Sequence, residues 1–504
     1  MTATSSRALR LIGSAMALVL PLAASALPAS ASSGSGGTDL PSARIIRISD
    51  HTTWYKTRNH GTFGEATTYV GTRGGAWEIW GQRSNYQDPI DVSQVVRDAA
   101  GQVALQQSLP DITMSDFGRG LPDFTTAMLR NSSGEVVAQR NFSFCPNDFQ
   151  PQRINDKGPE TPTYPQFCWS NPFTTGMVWG IDKGWATRST WGISIRKSLP
   201  VGQYQLQIAI ASPYREVFNV ADEDAVVTMA VDVVRRPSGR TSAGSQPAAP
   251  APEQQNTLTR AASTIPGPEA LPDLASLPAW GMYVKNQRHG DHSYLNFGAT
   301  VWNRGPSPLV VEGFREPDIE SMKAYQYFYQ DGVNVGRAFA GRLEYDHDLG
   351  HDHWHFRDFA SYSLLASDKS HIVRSDKEAF CLAPTDMIDL TVVGAALRPW
   401  VESLSTACGE VDSLWIREVL QTGWGDTYSQ YRPGQSFDVT NLPNGKYFVE
   451  VRANPDGQLY EVTDSNNVAY RRIYLRGKAG ERRVEVPPYQ GIDTERGGSC
   501  SQFC

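Results

Sequence analysis

The stretch LPNGKYFVEVRANPDGQLYEVTDSNNVAYRRIYL, residues 442–475, decides the fold class. Its KYFVEVRANP run (446–455) alternates apolar with polar or charged residues, the period of a strand with one buried face. A Pro-Asp-Gly turn, an acidic turn and a closing strand follow. A matching series, LPVGQYQLQIAIASPYREVFNVADEDAVVTMAVDV, begins at Leu199. Both open on Leu-Pro, place a glycine next and a tyrosine two residues later, and close on a strand. The simplest account is two related sandwiches in tandem; a chance likeness between two edge hairpins is the alternative.

Working outward, further strand signals stand at GAWEIWGQR (75–83), YQLQIAIAS (204–212), AVVTMAVDVV (225–234) and LNFGATVWNRG (295–305). Gly, Pro and Asn punctuate them at short intervals, and long helical periodicity is scarce. The expected architecture is therefore all-β, with two β-sandwich domains in tandem.

Composition divides the chain. Residues 236–270 are rich in Pro, Ala, Ser and Gly, cannot bury enough apolar surface to order themselves, and read as a linker. Residues 41–235 and 271–504 form the two halves. At the start, Arg7 and Arg10 precede an apolar run and small residues up to Ala31, the pattern of a secretory signal peptide over residues 1–31. No later run is apolar enough to span a membrane, so a secreted, extracellular protein is expected.

Six cysteines suit an oxidising compartment. Neighbouring positions suggest Cys145 with Cys168, Cys381 with Cys408 and Cys500 with Cys504, although spacing alone does not choose among pairings. A net charge of -7 leaves no basic footprint for nucleic acid. Oligomeric state is not legible.

Four of the nine histidines fall between His347 and His355. In a strand, His351, His353 and His355 project from one face, and neutral imidazoles suit copper, zinc, iron or nickel. In a straight strand the outer two backbones stand roughly 13 Å apart, near the limit at which both imidazoles reach one ion, and a bend, which Gly350 permits, relieves this. The contrary reading is a solvated histidine-rich loop. His347 is an additional ligand candidate. His51, His60, His289, His292 and His371 stand apart from the cluster.

With these residues in place, HDHWH (351–355) resembles the histidine-rich copper motif of the lysyl oxidase family. The order of neighbouring features is similar over about residues 271–476. LPDL (271–274) and LNFGATVWNRGPSPL (295–309) precede it; Phe359, Tyr362, Leu364, Leu365, KEAFCL (377–382), GWGDTY (423–428) and DSNN (464–467) follow. Cysteines depart from the animal pattern, since the motif itself has none and the family partner of Cys381 is missing, so that disulfide framework does not transfer.

The resemblance implies a copper-dependent catalytic second domain with a lysine tyrosylquinone cofactor built from Lys377 and Tyr428. It implies Cu2+ held by His351, His353 and His355, and oxidative deamination of primary amines, peptidyl-lysine among them, to aldehydes. O2 is the co-substrate, and hydrogen peroxide and ammonia are the other products. Asp426 is the preferred general base, with Asp352 and Asp358 as alternatives. Lys369, Tyr431 and Tyr447 compete for the cofactor positions in the alignment. The first half has no catalytic motif and reads as an accessory domain. A non-catalytic copper-binding or adhesive tandem sandwich is the alternative function.

Overall fold

The leading hairpin forms as its alternation requires. In the computed structural model, Gly445–Ala453 pairs antiparallel with Val468–Arg476, and Gly202–Ile210 with Val226–Arg235. The two corners share a specific contact. Tyr204 donates its hydroxyl to the Pro200 carbonyl at 3.0 Å, and Tyr447 donates to the Pro443 carbonyl at 2.6 Å. The Leu-Pro-x-Gly-x-Tyr likeness is thus physical: in each, the tyrosine pins the turn to the strand that leaves it.

The structure describes residues 40–56, 61–190, 193–195, 198–235, 264–287, 292–315, 321–347, 353–375, 379–400 and 404–495. The signal peptide, residues 236–263 of the linker, Cys500 and Cys504 fall outside them, as do His60, His289, His351, Asp352 and Lys377. The described chain is all-β apart from two helices, Ser212–Val217 and Asp222–Ala225, and one short 3-10 turn. Among the described residues no helix is long and apolar enough to cross a membrane.

Residues of the first half build sheets of four, four and seven strands; the second half builds sheets of six, six and five. Edge hydrogen bonds join the halves. The Thr175 N–H donates to the Ile388 carbonyl and the Leu390 N–H to that of Gly176, extending the strand Gly176–Ile181 with residues of the second half. Gly176 is required there, since a Cβ would lie 2.0 Å from Asp389 Oδ1. Phe167 meets Trp424 edge-on at 6.0 Å, and Leu40–Cys504 is one compact unit with a core that runs through both halves.

Both described disulfides, Cys145–Cys168 and Cys381–Cys408, are the neighbouring pairs expected from the sequence. Closing loops of 23 and 27 residues, each stabilises the fold by about 3 kcal/mol through the unfolded state.

Candidate metal and tyrosine site

The sequence WHFRDFASYSLL looks like one strand, but the chain breaks it in two. Asp358 adopts a left-handed φ of 59°. Before it, His353–Arg357 pairs with Val333–Asp346; after it, Ala360–Leu365 pairs with Gly445–Ala453 in a different sheet.

Rotation of the histidine strand is fixed by its other face. Trp354 and Phe356 are 0% and 1% exposed, and burying a side chain such as Phe356 stabilises the fold by about 3 kcal/mol. Trp354 also donates its indole N–H to the Glu410 carbonyl at 2.8 Å and lies under the Arg315 guanidinium. Residues 406–408 tie this strand to the far end of the same sheet. The Trp354 N–H reaches the Cys408 carbonyl, Ala407 bridges Arg417, and the Thr406 hydroxyl donates to the carbonyls of Leu382 and Val419.

Period two then sends His353 and His355 to the opposite face together. Their Nε2 atoms are 2.9 Å apart. With metal–nitrogen bonds near 2.0 Å, that separation subtends about 90° at a shared ion, the angle of adjacent ligands in tetragonal copper. Asp346, cross-strand partner of His353, places Oδ2 3.4 Å from His355 Nδ1. A carboxylate at Nδ1 favours the proton there and leaves Nε2 as the donor atom. Two imidazoles are thus placed as a partial donor set of the kind copper or a similar ion takes, and among the described residues no group of three or more His, Cys, Asp or Glu side chains is gathered to hold one. His347 rests its ring against Tyr345 at 4.8 Å, and Tyr345 also meets Trp354 edge-on at 5.6 Å.

Behind this strand lies a second cluster. Phe356 is the register partner of Phe380, whose ring meets Tyr428 edge-on at 4.8 Å. The Cys381 N–H donates to the Tyr428 phenol oxygen at 3.0 Å, and the phenol points back at the Cys381 carbonyl. Strand alternation along Trp424–Tyr428 puts Asp426, 4% exposed, on the same face as Tyr428. Burial first, then the charges of Asp426 and Glu418, hold the Tyr428 phenol well above its ordinary pKa.

Lys369 places Nζ 3.7 Å from the Tyr470 ring centroid, Tyr431 is 66% exposed, and Tyr447 is committed to Pro443. Asp358 occupies the break between the two strands. His51 contacts Asp232 at 2.8 Å in the first half, and His292 stacks on Tyr294.

Three carboxylates emerge that sequence reasoning did not select. Asp346 needed the strand register to reveal it. Glu418 is fully buried, with Oε2 accepting from the Leu382 N–H, and burial pushes its pKa well above the carboxylate range. A signal existed: in WIREVL, Glu418 alternates with Ile416 and Leu420 on the buried face. Asp386, paired opposite Gly425, is also buried, and that burial raises its pKa to about 6 despite the neighbouring Thr427, Asn171 and Thr385 groups.

Fold and site together define an all-β protein with convergent imidazoles backed by a buried tyrosine and carboxylate cluster. Residues 321–483, about a third of the chain, match the family model described as Lysyl oxidase. That segment holds His353, His355, Lys377, Asp426 and Tyr428, and its family is one of copper-dependent amine oxidases. No curated protein matches the chain.

Proposed function

We propose that this protein is a secreted, copper-dependent amine oxidase acting on primary amines, lysine side chains of proteins or peptides among them. The observation that carries the reading is the 2.9 Å convergence of His353 and His355 Nε2 inside the segment that matches the lysyl oxidase model. His351 would complete the ligand set, and Asp346 keeps His355 in the coordinating tautomer.

Lys377 and Tyr428 would supply the quinone. When present, copper and that quinone would supply an electrophilic carbonyl for the amine and a route for its two electrons to O2, with water as the source of the aldehyde oxygen and hydrogen peroxide and ammonia as the other products. The chain's own groups prepare this chemistry. The Cys381 N–H holds the Tyr428 oxygen in place, and Phe380 restricts the ring. Asp426, on the face of Tyr428, would take a proton from the substrate carbon. Glu418, whose pKa burial raises well above the carboxylate range, lies in the same buried surroundings and would favour its neutral form there.

The test is oxygen uptake with a primary amine by the copper-loaded protein, against Tyr428→Phe. Amine-dependent peroxide from the parent and none from the variant is expected; equal rates from both would overturn the proposal.

A further inference from the structure

The second-half disulfide stands between the two parts of the candidate site. Cys381 belongs to the tyrosine side: its N–H donates to the Tyr428 phenol oxygen at 3.0 Å, and the next N–H, that of Leu382, donates to Glu418 Oε2 at 3.0 Å. Cys408 belongs to the histidine side. Its carbonyl accepts from the N–H of Trp354 at 2.9 Å, and Trp354 is the residue between His353 and His355. Two residues beyond Cys408, the Glu410 carbonyl accepts from the Trp354 indole at 2.8 Å. The disulfide sets the two cysteine Cα atoms 6.0 Å apart. One hydrogen bond, one covalent bridge and a second hydrogen bond thus run from the phenol to the backbone that aims both imidazoles.

Regular structure around both cysteines is short. The strand before Cys381, Ala379–Phe380, has two residues, paired with Phe356 and Arg357. Among the described residues between Asp386–Met387 and Trp415–Leu420 there is no helix or further strand, so Cys408 sits in irregular chain. An isolated bridge from Ala407 to Arg417 and the Thr406 hydroxyl, bonded to the Leu382 and Val419 carbonyls, add noncovalent ties there. Short ladders and irregular loops open locally at small cost, whereas a disulfide keeps its two Cα atoms within about 7 Å of each other through such openings.

We propose that Cys381 and Cys408 are positioning residues, and that their disulfide is a brace that holds the Tyr428 phenol in register with the histidine strand. Its consequence for the quinone rests on the oxidase reading. A reaction between groups of one chain depends steeply on their placement, and a shift of about 1 Å costs on the order of 100-fold in rate. The other described disulfide, Cys145–Cys168, lies in the first half and closes a loop of similar length, 23 residues against 27. Loop closure alone therefore gives the two bonds nearly the same effect on stability, and only the brace gives them different effects on the site.

The test compares two double variants of the full chain, Cys381→Ser with Cys408→Ser and Cys145→Ser with Cys168→Ser, with melting temperature recording the global loss in each. Hydrogen exchange of the metal-free proteins is read by mass spectrometry on the peptides that contain residues 354 and 381. Without Cys381–Cys408, exchange there should be about five- to tenfold faster, the protection of about one hydrogen bond; without Cys145–Cys168 it should stay at the parent rate. After loading with Cu2+ in air, the phenylhydrazine-reactive visible band should fall at least about tenfold in the first variant alone. Thr406→Val keeps the disulfide and removes the hydroxyl ties, so its exchange at both peptides should stay within about twofold of the parent; this variant keeps the test decisive if the first does not fold. Equal exchange in the two disulfide variants overturns the proposal, as does parental exchange or a parental band without Cys381–Cys408, or a five- to tenfold rise in Thr406→Val. A parent chain that forms no quinone contradicts the oxidase reading instead, and the exchange comparison then decides the brace.

Discussion

Replacing Asp346 by Asn keeps the side-chain shape but removes the negative charge 3.4 Å from His355 Nδ1. Loss of such a partner weakens metal binding by about 10–100-fold, or roughly 1.4–2.7 kcal/mol. The structure selects the lower end, because the Asp346 side chain is 26% exposed and water screens its charge. Asp346→Asn should therefore raise the Cu2+ dissociation constant about tenfold, read by competition against a chromophoric chelator at neutral pH. The metal-free variant should melt within about 2 °C of the parent, as expected for a partly exposed substitution. Unchanged copper affinity in a folded Asp346→Asn protein would refute the reasoning, and Asp346 would be reduced to a surface carboxylate.

Asp386 gives a pH dependence. Its folded pKa of about 6 lies above the ordinary 3.8, so its contribution is fully present below pH 3.8 and is lost as pH rises through 6. The difference is about 3 kcal/mol; Asp386→Asn should flatten that part of the denaturant-midpoint profile between pH 4 and pH 7, and an unaltered slope would contradict the assignment. Burial favours the neutral carboxyl of Glu418, so Glu418→Gln should fold with a similar melting temperature, whereas Glu418→Lys buries an unpaired charge and should lose about 3–5 kcal/mol in chemical denaturation. Equal stability of the two would show that the site is not enclosed. Gly176→Val forces a side chain against Asp389 across the junction of the halves and should cost at least about 2 kcal/mol by the same assay; a neutral result would mean that this edge does not contribute to stability.

Much of the fold was legible because the side-chain period of a strand is written directly in sequence. Most of the 446–455 and 204–212 runs became strands, ending at Ala453 and at Ile210, where a helix starts at Ser212, and the shared Leu-Pro-x-Gly-x-Tyr pattern coincides with two tyrosine contacts of the same kind. What failed to show locally were features set by partners far along the chain. The break at Asp358 interrupts a run whose alternation looks continuous, because residues on either side are claimed by different sheets. Burial of Thr174 and Asn171 against Met387 and Thr300 joins the halves through backbone edges and small polar groups, which carry no hydrophobic signature. Within the candidate site, the histidine pair was readable from spacing, while Asp346 depended on register and the Tyr428 surroundings on three separate segments. Copper and the quinone came from resemblance, never from the spacing of the histidines.

The central claim is a quinone cofactor made from the chain's own Lys377 and Tyr428, together with a histidine-bound copper. The most direct measurement is peptide mass spectrometry on protein purified with Cu2+ and treated with phenylhydrazine. The account predicts a single crosslinked species joining the peptides that contain Lys377 and Tyr428, carrying the hydrazine adduct and absorbing in the visible. Bound copper with both peptides recovered separately and unmodified would contradict it.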